Sequence, residues 1–207
     1  MLTCVTEYNA LSGRSLERVL VLVDGVFAIV MTLLVLDLRL PEAHATTSHE
    51  LWSQLTDLGP QFGAYLLSFS MLGTFWLAEH TLLGHLRTSD RTLAWTVFTF
   101  LFFVTMLPFA ASTLAAHTHL RLAVWIYWAN LLLLGIALAW QLIHANRAGL
   151  VDPSRPEARL VWRRLVLAQS LYAVGALVVI ISPIAGIIVL AVCQVFFMVS
   201  PRLPWAV

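Results

Sequence analysis

Long apolar runs separated by short polar segments dominate the pattern of this chain. Six runs carry few charged residues and approach or exceed the roughly 20 residues that a helix needs to cross a bilayer core. They are residues 16–40, 62–86, 93–116, 120–144, 165–181 and 184–199. No stretch alternates between apolar and polar positions for the length of a membrane β-barrel strand. The pattern therefore predicts an all-α integral membrane bundle with six transmembrane helices, in a single domain over residues 1–207.

The breaks between the runs have the composition of loops. Residues 41–60 are polar and acidic, residues 87–91 form a short charged turn, and residues 148–159 contain two prolines and charges of both signs. Only Ser182 and Pro183 separate the last two runs. This pair predicts a tight hairpin, because proline cannot continue a helix but suits the first turn of the next one.

The distribution of arginine between the loops predicts the orientation of the bundle. If the N terminus lies inside, ten of the 12 basic residues, all of them Arg, fall on the inner side, and only Arg39 and Arg121 fall on the outer side. Positive residues are retained on the cytoplasmic side of membranes. Both termini are therefore predicted to be cytoplasmic, and the protein is predicted to lie in the plasma membrane.

Composition supports a membrane protein and narrows its chemistry. Charged residues make up only 11% of the chain and mean hydropathy is +0.86, whereas soluble domains carry about 25% charged residues. The net charge of +1, without a basic run, argues against nucleic acid as a partner. Neither cysteine forms a CxxC pair, and HExxH, GxSxG and Gly-rich phosphate motifs are absent. The sequence predicts no enzymatic activity, no cofactor and no resident metal.

Polar residues inside the predicted spans are candidates for function, because a charge at the bilayer centre costs at least ~2.5 kcal/mol. Arg18 and Asp24 lie toward the inner end of the first span, and Glu79 and His80 toward the inner end of the second. Trp76 and His80 are four residues apart and share a helix face. We expect Arg18, Asp24, Trp76 and His80 to form a buried polar network, with His80 placed to donate to Asp24.

Other interpretations of the carboxylates stay open. Asp24 also suits a side chain that reaches to the inner interface. Glu79 is near enough to the turn at residues 87–91 to be partly solvated there. Asp37, at the outer end of the first span, either attracts cations to an outer mouth or is simply solvated.

The first span also carries an apolar stripe. Ile29, Leu33 and Leu36 recur at i, i+4 and i+7, with Thr32 beside them. This spacing places the side chains on one helix face, which ordinary helix packing also explains. No TVGYG-like segment is present, so a carbonyl-lined potassium filter is excluded. Any selection among ions would therefore depend on side chains.

Several segments carry motifs that occur together in a known family. Residues 18–29 read RVLVLVDGVFAI and residues 32–37 read TLLVLD, while FWLAEH and FFVTMLPF follow at residues 75–80 and 102–109. Together they resemble the prokaryotic members of the transmembrane protein 175 family of potassium channels, whose first helix carries an Arg, three residues and then Phe-Ser-Asp. Leu22 and Val23 stand in place of that Phe and Ser, and Glu79 stands where many members have a His before His80.

The resemblance implies a homotetramer with a central pore lined by the first helix. Carried over by residue, the hydrophobic constriction falls on Ile29, with Leu33 and Leu36 further outside, and a hydroxyl ring falls on Thr32. Potassium sheds water more readily than sodium, so a narrow apolar ring would favour it moderately. Asp37 would lie at the outer mouth. The implied partners are potassium ions, the lipid bilayer and further copies of the chain.

Two other classes of function compete with a channel. A proton-coupled secondary transporter would use Asp24, Glu79 and His80 as a relay, although the two halves of the chain lack the matching helix breaks that such transporters often show. A non-conducting scaffold would show neither flux nor tetramers.

Overall fold

The structure, a computed structural model, describes residues 16–40, 46–152 and 158–199, and they fold into seven α-helices. In chain order these are α1 (Leu16–Leu33), α2 (Ser48–Asp57), α3 (Gly59–Gly84), α4 (Arg91–Ala116), α5 (Arg121–Arg147), α6 (Ala158–Val178) and α7 (Pro183–Val199). A short 3-10 helix, Leu34–Asp37, continues α1. The all-α prediction is confirmed.

Among the described residues, three helices are long and apolar enough to cross a membrane by themselves. They are α1 together with its 3-10 extension (Leu16–Asp37), α4 and α5, and Pro183–Met198 within α7 is a shorter apolar helix. The chain therefore has the helices of a multi-pass membrane protein. The count of six spans and the orientation of the termini stay predictions.

Helix α2 lies where the sequence was predicted to form a polar loop, so that expectation is wrong. Thr47 caps the helix by accepting from the backbone N–H of Glu50, whose side chain accepts in return from the Thr47 backbone. The backbone N–H and the hydroxyl of Thr46 also donate to Glu50 and lower the pKa of its carboxyl. The stability that Glu50 adds is therefore lost as the pH falls through this lowered pKa. None of the α2 residues is buried.

Helix α1 packs through one face against α3 and α4. Its buried residues are Val23, Phe27 and Val30, spaced by four and three residues. Phe27 contacts Phe100 of α4 with ring centroids 6.0 Å apart, and Phe75 of α3 contacts the same ring at 6.3 Å. These aromatic contacts hold α1, α3 and α4 together, while α4 and α5 form the most extensive helix pair.

Two turns are joined at the end of the bundle where α3 ends and α4 begins; we call this the paired end. Arg87 N–H donates to the Leu150 carbonyl at 3.0 Å, and Asp152 N–H donates to the His85 carbonyl at 2.9 Å. Arg87 Nη2 lies 2.6 Å from Asp152 Oδ1, and this hydrogen bond and the carboxylate charge raise the pKa of Arg87. The paired end is the end that the arginine distribution assigns to the cytoplasm.

The hairpin between α6 and α7 is closely packed. Its turn covers residues 179–182, three residues of which were predicted to be helical, and Pro183 is the first residue of α7. The Gly186 N–H donates to the Ser182 carbonyl at 3.0 Å. A Cβ atom on Gly186 would lie 2.3 Å from Val179 Cγ2 and 3.1 Å from the Gly175 carbonyl oxygen. Only a hydrogen fits there, so glycine lets the two helices approach.

Gly186→Ala is expected to destabilise the protein by about 1–3 kcal/mol, because the added methyl overpacks the α6–α7 contact. Gly63→Ala on α3 is the matched control, since a Cβ there meets nothing within 4 Å, and alanine favours a helix over glycine by up to about 1 kcal/mol. Thermal unfolding of both variants in detergent measures the difference. Equal unfolding temperatures for the two variants would contradict the close packing at Gly186.

Candidate functional site

The first helix has a packed face and an open face. Val23, Phe27 and Val30 are at most 2% exposed, whereas Ile29 is 60% exposed and Leu36 is 56% exposed. The open face of α1 consists of residues spaced by four and three that neighbouring helices leave uncovered, namely Arg18, Leu22, Gly25, Ile29 and Thr32. The exposed Leu36 follows on the 3-10 helix. Leu33 lies beside the open face and is 44% exposed. The apolar stripe of the sequence is thus an uncovered surface of the single chain.

Thr32 places an oxygen atom on this open face. Its hydroxyl donates to the Ile29 backbone carbonyl at 2.7 Å. Because this bond uses the hydroxyl proton, the remaining lone pairs of Oγ1 are what the side chain presents to its surroundings. An exposed acceptor oxygen one helical turn beyond Ile29 is suited to a cation.

The outer part of the predicted first span departs from the expected helix. The α-helix ends at Leu33, residues Leu34–Asp37 form the 3-10 helix, and no helix continues to Leu40. The i+7 relation between Ile29 and Leu36 therefore does not hold on one continuous α-helix, although both side chains are exposed. Asp37, at the end of the 3-10 helix, is exposed as well.

Asp24 is held by Trp76 rather than by His80. Trp76 Nε1 donates to Asp24 Oδ1 at 2.8 Å, which joins α3 to α1. The His80 ring lies against the Trp76 ring with centroids 5.3 Å apart, and its own side chain is exposed. The structure thus brings together Asp24, Trp76 and His80, with the indole between the carboxylate and the imidazole.

Arg18 lies apart from this group. Arg18 and Asp24 form no ion pair in the described part of the chain. Arg18 lines instead an open groove of about 780 Å³ between α1 and α4, together with Leu22, Gly25 and Ile29 on α1 and with Phe98 on α4. The groove is almost entirely apolar, and Arg18 and Glu17 supply its charges.

Glu79 is buried, so the expectation that it is partly solvated near the turn is wrong. Its side chain has no exposed surface, and the amide of Gln141 on α5 faces its carboxyl. The spacing of apolar residues along α3 predicts this burial. Leu72, Phe75 and Leu82 on α3 are buried at spacings of three and four residues around Glu79, which marks position 79 as part of the core.

Other buried polar contacts join α3 to α5 and α7, and α6 to α7. Tyr172 donates to Gln194 Oε1 at 3.0 Å, and Gln194 Nε2 donates to Thr74 Oγ1 at 2.7 Å. Ser68 donates to the Tyr127 hydroxyl at 3.2 Å. Hydrogen bonds of this kind fix the mutual positions of α3, α5, α6 and α7, and no residue spacing along one helix predicts them.

A family model, curated relatives and a solved structure that are similar to this chain all point to ion channels. The family model described as "Endosomal/lysosomal potassium channel TMEM175" matches residues 18–108. A potassium channel of Streptomyces collinus is 32% identical over 157 residues, which cover 70% of this chain and 73% of that protein. The mouse endosomal/lysosomal proton channel TMEM175 is 40% identical over 102 residues, which are 46% of this chain and 20% of that protein.

A solved structure resembles the whole bundle. It is the crystal structure of a lysosomal potassium-selective channel TMEM175 homolog from Chamaesiphon minutus, with a TM-score of 0.78 and 26% sequence identity. The match covers 89% of this chain and 96% of that chain. The similarity to this structure therefore extends well beyond residues 18–108, which the family model matches.

Proposed function

Because this chain belongs to the TMEM175 family of potassium channels, which are ion channels and not enzymes, we propose that it conducts potassium ions through the cell membrane. The proposed pore is lined by the open face of α1 and prefers potassium over sodium moderately. One observation carries the proposal: Ile29 is 60% exposed on a helix whose opposite face is packed into the core. An exposed apolar face of that kind needs either lipid or further copies of the same helix around it.

We propose that four copies assemble as a homotetramer with α1 at the centre. Six spans, namely α1 and α3 to α7, then cross the membrane in each subunit, both termini are cytoplasmic, and residues 1–207 form one domain. The lengths of α3 and α6, 26 and 21 residues, support their counting as spans, since about 20 residues cross the core. Helix α2, which has no buried residue, then lies at the outer surface.

Ion selection in this arrangement comes from a dehydrating ring. Four Ile29 side chains form an apolar constriction that a fully hydrated ion does not pass, and the cost of removing water is lower for potassium than for sodium. Leu33 and Leu36 extend the apolar lining outward. The Thr32 oxygens replace part of the lost hydration shell, and Asp37 raises the local cation concentration by Coulomb attraction. Selectivity from partial dehydration is moderate.

The polar contacts among Asp24, Trp76 and His80 set the position of α1, the proposed pore helix. The Trp76 to Asp24 hydrogen bond ties the pore helix to α3 one and a half turns on the inner side of Ile29. We propose that Asp24, Trp76 and His80 form this anchor, and that Arg18 acts at the inner entrance on the same helix face as Ile29. Leu22 and Val23 take no polar part in it.

The competing proposal, a proton-coupled transporter, needs Asp24, Glu79 and His80 to exchange protons. Among the described residues, neither oxygen atom of the buried Glu79 has a hydrogen-bond partner, whereas Asp24 accepts from Trp76 and the His80 ring lies against that indole. Because no hydrogen bond links Glu79 to Asp24 or His80 in that part of the chain, we favour the channel over a relay through all three residues.

Flux measurements in liposomes separate the two proposals. Purified protein is expected to support a potassium flux that needs no proton gradient, that persists when a protonophore clamps the pH, and that exceeds the sodium flux under the same gradient. Flux that stops when the proton gradient is abolished would support the transporter instead. A particle mass of four times 23.1 kDa, measured by light scattering with the detergent contribution subtracted, would support the tetramer, and a monomer mass would contradict it.

A further inference from the structure

Glu79 is a buried ionisable side chain to which the proposed conduction along α1 gives no role. Among the described residues it is the one carboxyl side chain within the buried core, with no exposed surface. Neither of its oxygen atoms has a hydrogen-bond partner among those residues. A buried carboxylate that lacks a cation or a set of donors is strongly unfavourable. The surroundings of Glu79 therefore favour a neutral side chain.

Gln141 is the group that the other side of the interface presents to Glu79. It lies on α5, is completely buried, and likewise has both amide atoms without a hydrogen-bond partner in the described part of the chain. The Gln141 amide lies near the Glu79 carboxyl without a hydrogen bond between them. The next titratable side chain along α5 is His144, which is paired with Asp90 at the start of α4 at 2.9 Å. On α3 itself, His80 is exposed.

The two facing groups are complementary only when the acid is neutral. A protonated carboxyl has an O–H donor and a carbonyl acceptor, and a primary amide has an N–H donor and a carbonyl acceptor. Two parallel hydrogen bonds then satisfy the carboxyl and the amide together. A carboxylate offers acceptors alone, so the Gln141 carbonyl would stay unpaired beside an uncompensated charge. The terminal torsions of both side chains are soft enough to turn into this arrangement.

We propose that Glu79 is a proton-binding site whose carboxyl carries a proton at neutral pH and pairs with the Gln141 amide, joining α3 to α5. Trp76 lies three residues earlier on α3 and donates to Asp24 of α1. The Glu79–Gln141 pair therefore fixes the position of α3, and α3 in turn holds the proposed pore helix α1 through Trp76. Loss of the proton at alkaline pH weakens the α3–α5 contact.

Infrared difference spectroscopy of the full chain in lipid nanodiscs tests the proton directly, without reference to ion flux. At pH 7 the wild-type protein is expected to show the C=O stretch of a protonated carboxylic acid, which Glu79→Gln removes. Asp57→Asn is the matched control, because Asp57 is an exposed carboxyl at the end of α2, and it is expected to retain the band. A wild-type spectrum that equals the Glu79→Gln spectrum in this region at pH 7 would overturn the proposal.

A second variant tests the pairing with Gln141. In Gln141→Leu the acid loses its partner, so its C=O stretch is expected to move to higher frequency while Glu79 stays protonated. An unmoved band would show that Gln141 is not the partner. The unfolding temperature gives an independent check: the wild type is expected to lose stability between pH 7 and pH 9, and Glu79→Gln is expected to lose less. Equal losses in the two proteins would contradict an alkaline weakening that originates at Glu79.

Discussion

Replacing Ile29 with Asn is expected to bring the potassium and sodium fluxes to near equality and to raise the total flux several-fold. The physical reason is that Asn supplies polar atoms where the wild-type ring supplies none, so an ion passes with more of its water. The preference for potassium arises because removing water costs less for potassium than for sodium. A polar ring at position 29 lowers this cost for both ions, so both the barrier to passage and the preference decrease. Fluxes of both ions into liposomes, measured on the same preparation, give the ratio.

Ile136→Asn is the matched control for this variant. Ile136 is an isoleucine on α5 with 53% of its side chain exposed, close to the 60% of Ile29, but it lies away from the open face of α1. The same substitution there is expected to leave the flux ratio at its wild-type value. If Ile29→Asn keeps the wild-type ratio in a folded and conducting protein, Ile29 does not form the constriction.

Asp24→Asn and Trp76→Phe are expected to reduce potassium flux by about tenfold or more, with a stability loss of about 1 kcal/mol. Each variant removes or weakens the 2.8 Å hydrogen bond between the Trp76 indole and the Asp24 carboxylate. A hydrogen bond to a charged group contributes about 1.5–3 kcal/mol when buried, and the exposure of Asp24 reduces this value. The larger effect falls on flux, because the bond sets the position of the helix that carries Ile29.

Trp95→Phe controls for the general loss of an indole. Trp95 is 61% exposed on α4 and lies against Phe98. Its replacement is expected to change flux by less than twofold, with flux and thermal unfolding measured in parallel for all three variants. If Trp76→Phe conducts as Trp95→Phe does, the contact between Asp24 and Trp76 is structural and does not control the pore helix.

The helices could be predicted from the sequence because apolar length alone determines them in a membrane. The predicted runs at residues 93–116 and 184–199 differ from α4 and α7 by two residues or fewer at each end. Helix α2 could not be predicted from apolar length, because it is a helix of ten residues with no buried face. The Thr-x-x-Glu pattern of Thr47 and Glu50 was the available signal.

The contacts between helices could be predicted only in part. Helix period placed Trp76 and His80 on one face, but it does not decide which of them reaches another helix, and the longer indole reaches Asp24. Glu79 lies only eight residues before Arg87 of the turn, but its burial follows from the helix period of α3, in which Phe75 and Leu82 are also buried. The end of α1 at Leu33 was out of reach, since Leu34 to Leu40 are apolar or helix-compatible residues without a proline or glycine.

The most direct test of a potassium-permeable pore is the reversal potential of the purified protein in a planar bilayer, with potassium on one side and sodium on the other. We expect a channel current whose reversal potential is displaced from zero in the direction of potassium preference, with the displacement abolished in Ile29→Asn. A folded protein that carries no current, or one whose current reverses at zero before any substitution, would contradict this expectation.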